Sequence, residues 1–353
     1  MGSLRASEKL QPPGSVGPDE MPACAMLAGV PVGAFDRRVR SRRRLRAEHV
    51  RDYGIVVFVI GIFVCLSLAS PVFLTSGNLL NLVYANAVVG IPACAVTLTI
   101  IAGNFDLSLG AIFTLAEVLC AWAAVQWGVW WCFPVAILSG ALMGLVNGMI
   151  ITKLRVNAFL ATLATALVFG AAALAVSDGS AITPTSSAFT FIGQHRVAGV
   201  QYPDLILLVV AALLQFALAY TVFGRHLYGV GGNRAAALLS GLNVDRIIII
   251  TFVLTGAACG LAGLIDASSN GVGVPNNALG NALPLGAISG VALGGTSIFG
   301  GVGAVWRTII GVLMLGMITN GFDLLGVADY WQSVVRGLLI SGAVAIGSLI
   351  ERR

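Results

Sequence analysis

Ten apolar stretches, joined by short polar segments, leave this chain one kind of surroundings in which to fold. A bilayer core asks for about 20 apolar residues per helix. Stretches of that order run over 54–74, 79–102, 107–127, 129–152 and 157–176, and after a polar interval over 205–222, 247–267, 283–293, 302–325 and 331–350, the eighth being short. Backbone groups in lipid must be satisfied within the chain, so such stretches become helices. Composition agrees: 58% of the residues are hydrophobic and 10% charged, against about 25% charged in soluble domains. The expected fold is an all-α membrane protein, a polytopic bundle of about ten transmembrane helices with discontinuous segments.

The charges orient these spans. Residues 36–52 hold eight Arg against three acids, which accounts for the whole net charge of +5. Next to a first apolar span, this basic run reads as a cytoplasmic topology anchor that also touches anionic lipid, not as a nucleic-acid site. Residues 1–52 are thus expected to be a disordered, basic, cytoplasmic tail, and 53–353 the ten-span domain. With the N-terminus inside, Lys153, Arg155, Arg225, His226, Arg234, Arg246, Arg352 and Arg353 all fall on the cytoplasmic side. Asp178, Asp204, Asp266 and Asp329 fall outside, with Arg196 the lone outward cation. Both termini are then cytoplasmic. Trp122, Trp127, Trp130 and Trp131 cluster at an outer turn, as an aromatic belt does. Five of the six Cys sit within apolar runs with no metal-ligand spacing and read as packing thiols.

Glycine is abundant, at 44 residues, and recurs with small neighbours in "TGAACGLAGLIDA" (255–267), the spacing that lets helices approach closely. Two stretches interrupt the spans with polar and Gly residues: "IAGNFDLSLGA" (101–111) and "LGGTSIFGGVGA" (293–304). Their loosely similar endings are compatible with an internal repeat and equally with chance. Non-helical backbone at membrane depth lines a cavity or is buried in protein, and discontinuous helices often form a solute path. The path residues expected from this are Asn104, Phe105, Asp106, Ser108, Thr296, Ser297 and Asn320.

Several of these residues have more than one reading. Asp106 caps the third span or borders the path. Asn147, Asn320 and Gln332 bond a solute or a neighbouring helix. Glu117 faces the interior or the outer surface. Arg307 is placed to snorkel, and Asp323 and Arg336 are placed to pair across neighbouring helices. Phosphate-loop, zinc-hydrolase and nucleophile-elbow motifs are absent, and Lys occurs only at 9 and 153. No cofactor or catalytic group is expected in this chain; if ATP drives transport, another subunit hydrolyses it.

One loop stands apart. In "GGNRAAALLSGLNVDR" (231–246), Asn233 is a good N-cap and Ser240-Gly241 a stop, enclosing about two helical turns. Ala235, Leu238, Leu239 and Leu242 fall at i, i+3, i+4 and i+7, an apolar stripe suited to a partner's groove or to the membrane surface.

The run "FGRHLYGVGGNRAAALLSGLNVDR", followed by "TFVLTGAACGLAGLI" and "AISGVALGGTSIFGGVGAVWRTIIGVLMLG", resembles the permease subunits of bacterial ABC importers for ribose, xylose, arabinose and related monosaccharides. "GNFDLSLGA" and "LLGVADYWQSVVRGLLI" resemble further segments of that family, so the likeness runs from about residue 53 to the C-terminus. It implies a permease in the bacterial inner membrane, paired with a second permease subunit as a homodimer or heterodimer. It also implies an ATP-binding cassette ATPase carrying ATP and Mg, and a periplasmic sugar-binding protein. The segment at about 231–242 then corresponds to a coupling helix, with Gly232, Asn233, Arg234, Ala235, Ala236, Leu238, Leu239, Gly241 and Leu242 as its contacts. The chain departs from the family's pattern at Ala235 and Leu238, where Glu and Arg are usual, and at Asn104-Phe105, where Gly-Ile is usual. The alternative from the residues alone is a self-sufficient proton- or sodium-coupled transporter using Asp106, Glu117 or Asp323.

Overall fold

The computed structural model describes residues 56–328, 330–335, 337–338 and 341–342. The basic tail, most of the tenth stretch and the Arg336 half of the expected Asp323–Arg336 pair lie outside them. Helices α1 (Val56–Ala69), α2 (Ser76–Ile101), α3 (Leu109–Gln126), α4 (Cys132–Lys153) and α5 (Ala158–Val176) come first. The polar interval folds into α6 (Phe191–Gln194) and a two-residue hairpin, β1 (Arg196–Val197) with β2 (Val200–Gln201), in which Arg196 stands opposite Gln201. Then follow α7 (Tyr202–Tyr220), α8 (Val222–Gly232), α9 (Arg234–Leu239), α10 (Val244–Asn270), α11 (Ala278–Leu293) and α12 (Val305–Leu324).

The chain is an all-α polytopic membrane protein. Among the described residues, seven helical segments are long and apolar enough to cross a membrane, while α1 and α11 are shorter apolar helices. Local chemistry sets several ends. Thr75, Asn157 and Asn277 accept backbone N–H groups at the starts of α2, α5 and α11. Gly271, at φ +72°, closes α10 in the left-handed region where a Cβ is costly.

The core is α2. Every residue from Gly90 to Ala102 is buried, as expected of a helix enclosed on all sides, and α7, α10, α11 and α12 surround it. Two hydroxyl pairs stitch it in: Thr97 to Thr308 of α12 at 2.7 Å, and Thr99 to Thr255 of α10 at 2.9 Å. Helices α5 and α7 turn mostly outward, leaving Leu160, Leu167, Leu208 and Leu213 exposed.

With no hydrophobic force between helices in lipid, close backbone approach does the joining. On α4, Gly140, Gly144 and Gly148 meet α10 at Gly256, Phe252 and Ile249, and Gly260 of α10 meets Ala136. A Cβ on Gly140 would overlap the Gly256 carbonyl, and one on Gly256 would overlap that of Gly140. The small-residue spacing of 255–267 thus serves the α4 interface through Gly256 and Gly260 and the α3 interface through Gly263.

Candidate functional site

One end of the bundle gathers both polar breaks, the α4–α5 joint and the α8–α9 segment. The breaks are chain reversals between consecutive helices, not gaps inside single spans. At the first, Gly103 takes φ +77° and the Asn104 N–H donates to Thr99 O at 3.0 Å. At the second, Gly295 takes φ +74° and the Thr296 N–H donates to Val291 O at 3.2 Å. Gly241, Gly271 and Gly326 close their helices in the same way. The glycine turns that open the two breaks are therefore those of helix ends in general.

Asp106 is not the cap residue of α3, though it accepts a backbone N–H two residues on, as a cap does. The cap position belongs to Ser108, which makes no side-chain cap bond. Asp106 is 0% exposed, and its Oδ1 accepts the Ser108 N–H at 2.9 Å and the Ser108 hydroxyl at 2.6 Å. That hydroxyl accepts the Asn147 amide of α4 at 2.7 Å, and the Leu107 N–H donates to Thr162 Oγ1 of α5 at 3.1 Å. Asp106 and Ser108, two residues apart, thus bind the first break to Asn147 of α4, and Thr162 binds it to α5.

Beside this break lies an open cavity of about 1130 Å³, lined among others by Asn104, Phe105, Arg155, Asn157, Arg234 and Asp245. At its rim Lys153 and Asp245 pair at 3.9 Å, an exposed contact worth little. Thr296 is buried in the second break, and Ser297 closes its turn by accepting the Phe299 N–H. Neither lines the cavity.

Asn320 does not join this group. It lies near the far end of α12 and exchanges amide bonds with Asn78 of α2 at 3.0 and 2.8 Å, so each amide satisfies the other. Glu117 faces the interior at that same far end, accepting the Val274 N–H at 2.9 Å and the Asn277 amide at 2.8 Å. The Gln332 amide donates to Asp323 at 2.8 Å. Arg307, expected to reach outward, is 5% exposed instead.

Helix α9 starts as its sequence dictates, with Asn233 Oδ1 accepting the Ala236 N–H at 3.0 Å, and Gly241 at φ +79° closes it. Gly231 and Gly232 end α8, and within the 231–242 segment α9 spans Arg234–Leu239, the two turns expected between the Asn233 cap and the Ser240-Gly241 stop. The apolar stripe also divides. Leu238 and Leu239 are 57% and 91% exposed and Ala235 is exposed, while Leu242 turns inward against the core with Ala237. Gly232, Asn233, Arg234, Ala236 and Gly241 are exposed around that knob.

Three contacts at this end are not legible from spacing. The Gly301 N–H donates to Ile101 O at 2.9 Å and joins the breaks. The Tyr228 hydroxyl of α8 donates to Gly303 O at 2.7 Å. Gln215 Oε1 of α7 accepts the Val305 and Trp306 N–H groups at 2.9 and 3.3 Å, serving the open start of α12. The paired glycines at 231–232 and 300–301 are their only sequence trace. Among the described residues, no group of three or more His, Cys, Asp or Glu is placed to hold a metal.

Comparison with known proteins adds the context. Residues 78–344 match the family described as the permease component of branched-chain amino acid transport systems. The ribose import permease protein RbsC of Bacillus subtilis is 38% identical over 300 residues, covering 83% of this chain and 90% of that protein. RbsC of Escherichia coli K12 is 34% identical over 313 residues, 87% of this chain and 97% of its own length. The L-arabinose transport system permease protein AraH of E. coli K12 is 36% identical over 296 residues, 83% and 89% respectively. No solved structure matches the chain.

Proposed function

The chain belongs to the family of branched-chain amino acid transport system permease components, and from that membership we propose that it is the membrane-spanning subunit of an ATP-driven importer for a monosaccharide or related polyol. Relatives named for ribose and arabinose transport, similar over most of their length, support the solute class. The chain's own residues supply helices and a solute path. ATP and Mg belong to a separate cassette ATPase, and solute is delivered by a periplasmic binding protein. The protein sits in a bacterial inner membrane with both termini cytoplasmic, the basic 1–52 segment serving as a tail, and a second permease subunit, taken to be an identical copy, completes it.

The observation that carries this reading is the pair Leu238 and Leu239, held out on a capped two-turn helix at the end where both breaks converge. A rigid apolar knob of this kind, standing clear of the bundle's own core, suits a partner's groove. The ATPase is that groove's owner, and α9 is the coupling helix. Binding protein and ATP bias the bundle between inward- and outward-open states. Asn104 and Phe105, on the cavity wall, are solute contacts, with Asp106, Ser108, Thr296 and Ser297 supporting the breaks that carry them. The alternative, an ion-coupled carrier, would rest on Asp106: Glu117 and Asp323 are engaged by amide groups, and Asp106 bonds Ser108 through one oxygen.

The test is gentle extraction from the native membrane with a tag on the C-terminus. An ATPase subunit should accompany the wild-type chain and be lost from a Leu238→Glu, Leu239→Glu variant. A chain that emerges alone and still moves solute in liposomes without ATP would sink the importer reading.

A further inference from the structure

We propose that a backbone junction where Gly231, Ile101 and Gly301 meet, braced by the Tyr228 hydroxyl on Gly303, transmits the displacement of α9 to α2 and α12. The inference rests on the importer reading and adds the positions through which its motion passes. Three observations converge on it. The Gly301 N–H donates to the Ile101 carbonyl at 2.9 Å, so the second break hangs on the last residue of α2. Gly231, at the end of α8 and two residues before α9's cap, presses into the same spot. A Cβ there would overlap the Ile101 oxygen and stand 2.6 Å from the Gly301 nitrogen. Gly300 and Gly301 close the gap from the other side, each with φ in the left-handed region. A Cβ on Gly300 would lie 3.0 Å from Gly231 O and 3.1 Å from Gly103 Cα, and one on Gly301 would lie 2.8 Å from Gly232 Cα.

The mechanical consequence follows from stiffness. Side chains hop between rotamers and absorb small displacements, whereas backbone in direct contact has no such slack. The second break is also bound to the α7–α8 arm by Tyr228 to Gly303 and by Gln215 to the start of α12. A force applied to α9 therefore moves α8 and the second break together, and both bear on the end of α2. Helix α2 is buried throughout this half and bonded through Thr97 and Thr99 to α12 and α10, so a shift at Ile101 is passed along the middle of the bundle. A coupling of this kind is carried by packed elements with two discrete arrangements.

The experiment reconstitutes the full complex in proteoliposomes and reads solute uptake per ATP hydrolysed, along with the amount of ATPase subunit co-purified. Three variants are compared: Gly231→Ala, Tyr228→Phe and, as control on the same helix, Gly229→Ala, where a Cβ meets nothing nearer than Leu242 Cδ1 at 3.8 Å. Gly231→Ala should keep the ATPase bound while uptake per ATP falls about tenfold, within the usual range of coupling free energies. Tyr228→Phe adds no bulk, so it folds even if Gly231→Ala does not, and it should lower the same ratio several-fold. Gly229→Ala should match wild type. Unchanged uptake per ATP in Tyr228→Phe, or a Gly231→Ala protein that transports normally or sheds its ATPase, overturns the junction. Failure of the importer reading is seen separately, as a wild-type chain that brings down no ATPase.

Discussion

Glu117 and Asp266 are held by one amide: Asn277 Nδ2 stands 2.8 Å from Glu117 Oε2 and 2.7 Å from Asp266 Oδ2. The other end of that side chain accepts the Leu279 N–H at 2.8 Å and caps α11. One residue thus fastens three helices at the end of the bundle opposite α9. Replacing it with Ala should cost about 4–7 kcal/mol, the sum of a lost cap of about 1 kcal/mol and two hydrogen bonds to carboxylates worth about 1.5–3 kcal/mol each. Thermal unfolding in detergent measures the loss, and an unchanged midpoint would refute the clasp. Asn277→Asp keeps the cap but adds a third carboxylate, so it should be no better than Ala.

The α4–α10 interface makes a sharper contrast. Gly256→Ile places a branched side chain where the Gly140 carbonyl already lies. The helices must part, and overpacking of this kind costs about 1–3 kcal/mol or more. Gly170→Ala on α5, where a Cβ meets nothing within 4 Å, should leave stability unchanged. Size-exclusion profile and thermal midpoint distinguish the two; equal behaviour would contradict the packing.

Ser108 links Asp106 to Asn147, so Ser108→Ala removes both bonds at once and leaves buried polar atoms exposed to nothing. The expected loss is about 1–3 kcal/mol. In a double-mutant cycle with Asn147→Ala the two losses should fail to add, because they remove the same contact. Additive losses would mean that the two side chains act independently.

Asn320 offers a check on the solute path. Because it bonds Asn78 across 242 residues of sequence, Asn320→Ala should lower stability by about 1 kcal/mol and leave the concentration of solute giving half-maximal uptake where it was. A several-fold shift in that concentration, with stability intact, would return Asn320 to the path.

The amino-acid sequence determined the elements. Apolar stretches of span length become helices because lipid offers the backbone no other partner, and the structure places a helix in each stretch where it is described. Asn233 and Gly241 bounded α9 with equal clarity, since a cap and a left-handed stop are local chemistry. The glycine spacing at 255–267 announced close interfaces without saying that α4 and α3 are the partners. Tertiary structure alone decided which polar groups meet. Asp106, open between cap and path, became the anchor of Ser108; Asn320, open between solute and neighbouring helix, became half of an amide pair; Leu242 left an apolar stripe that looked continuous. Helical periodicity tells a side chain which face it occupies, but the donor or acceptor opposite that face comes from another helix. In a bundle where an unsatisfied polar atom is costly, that distant partner fixes its role.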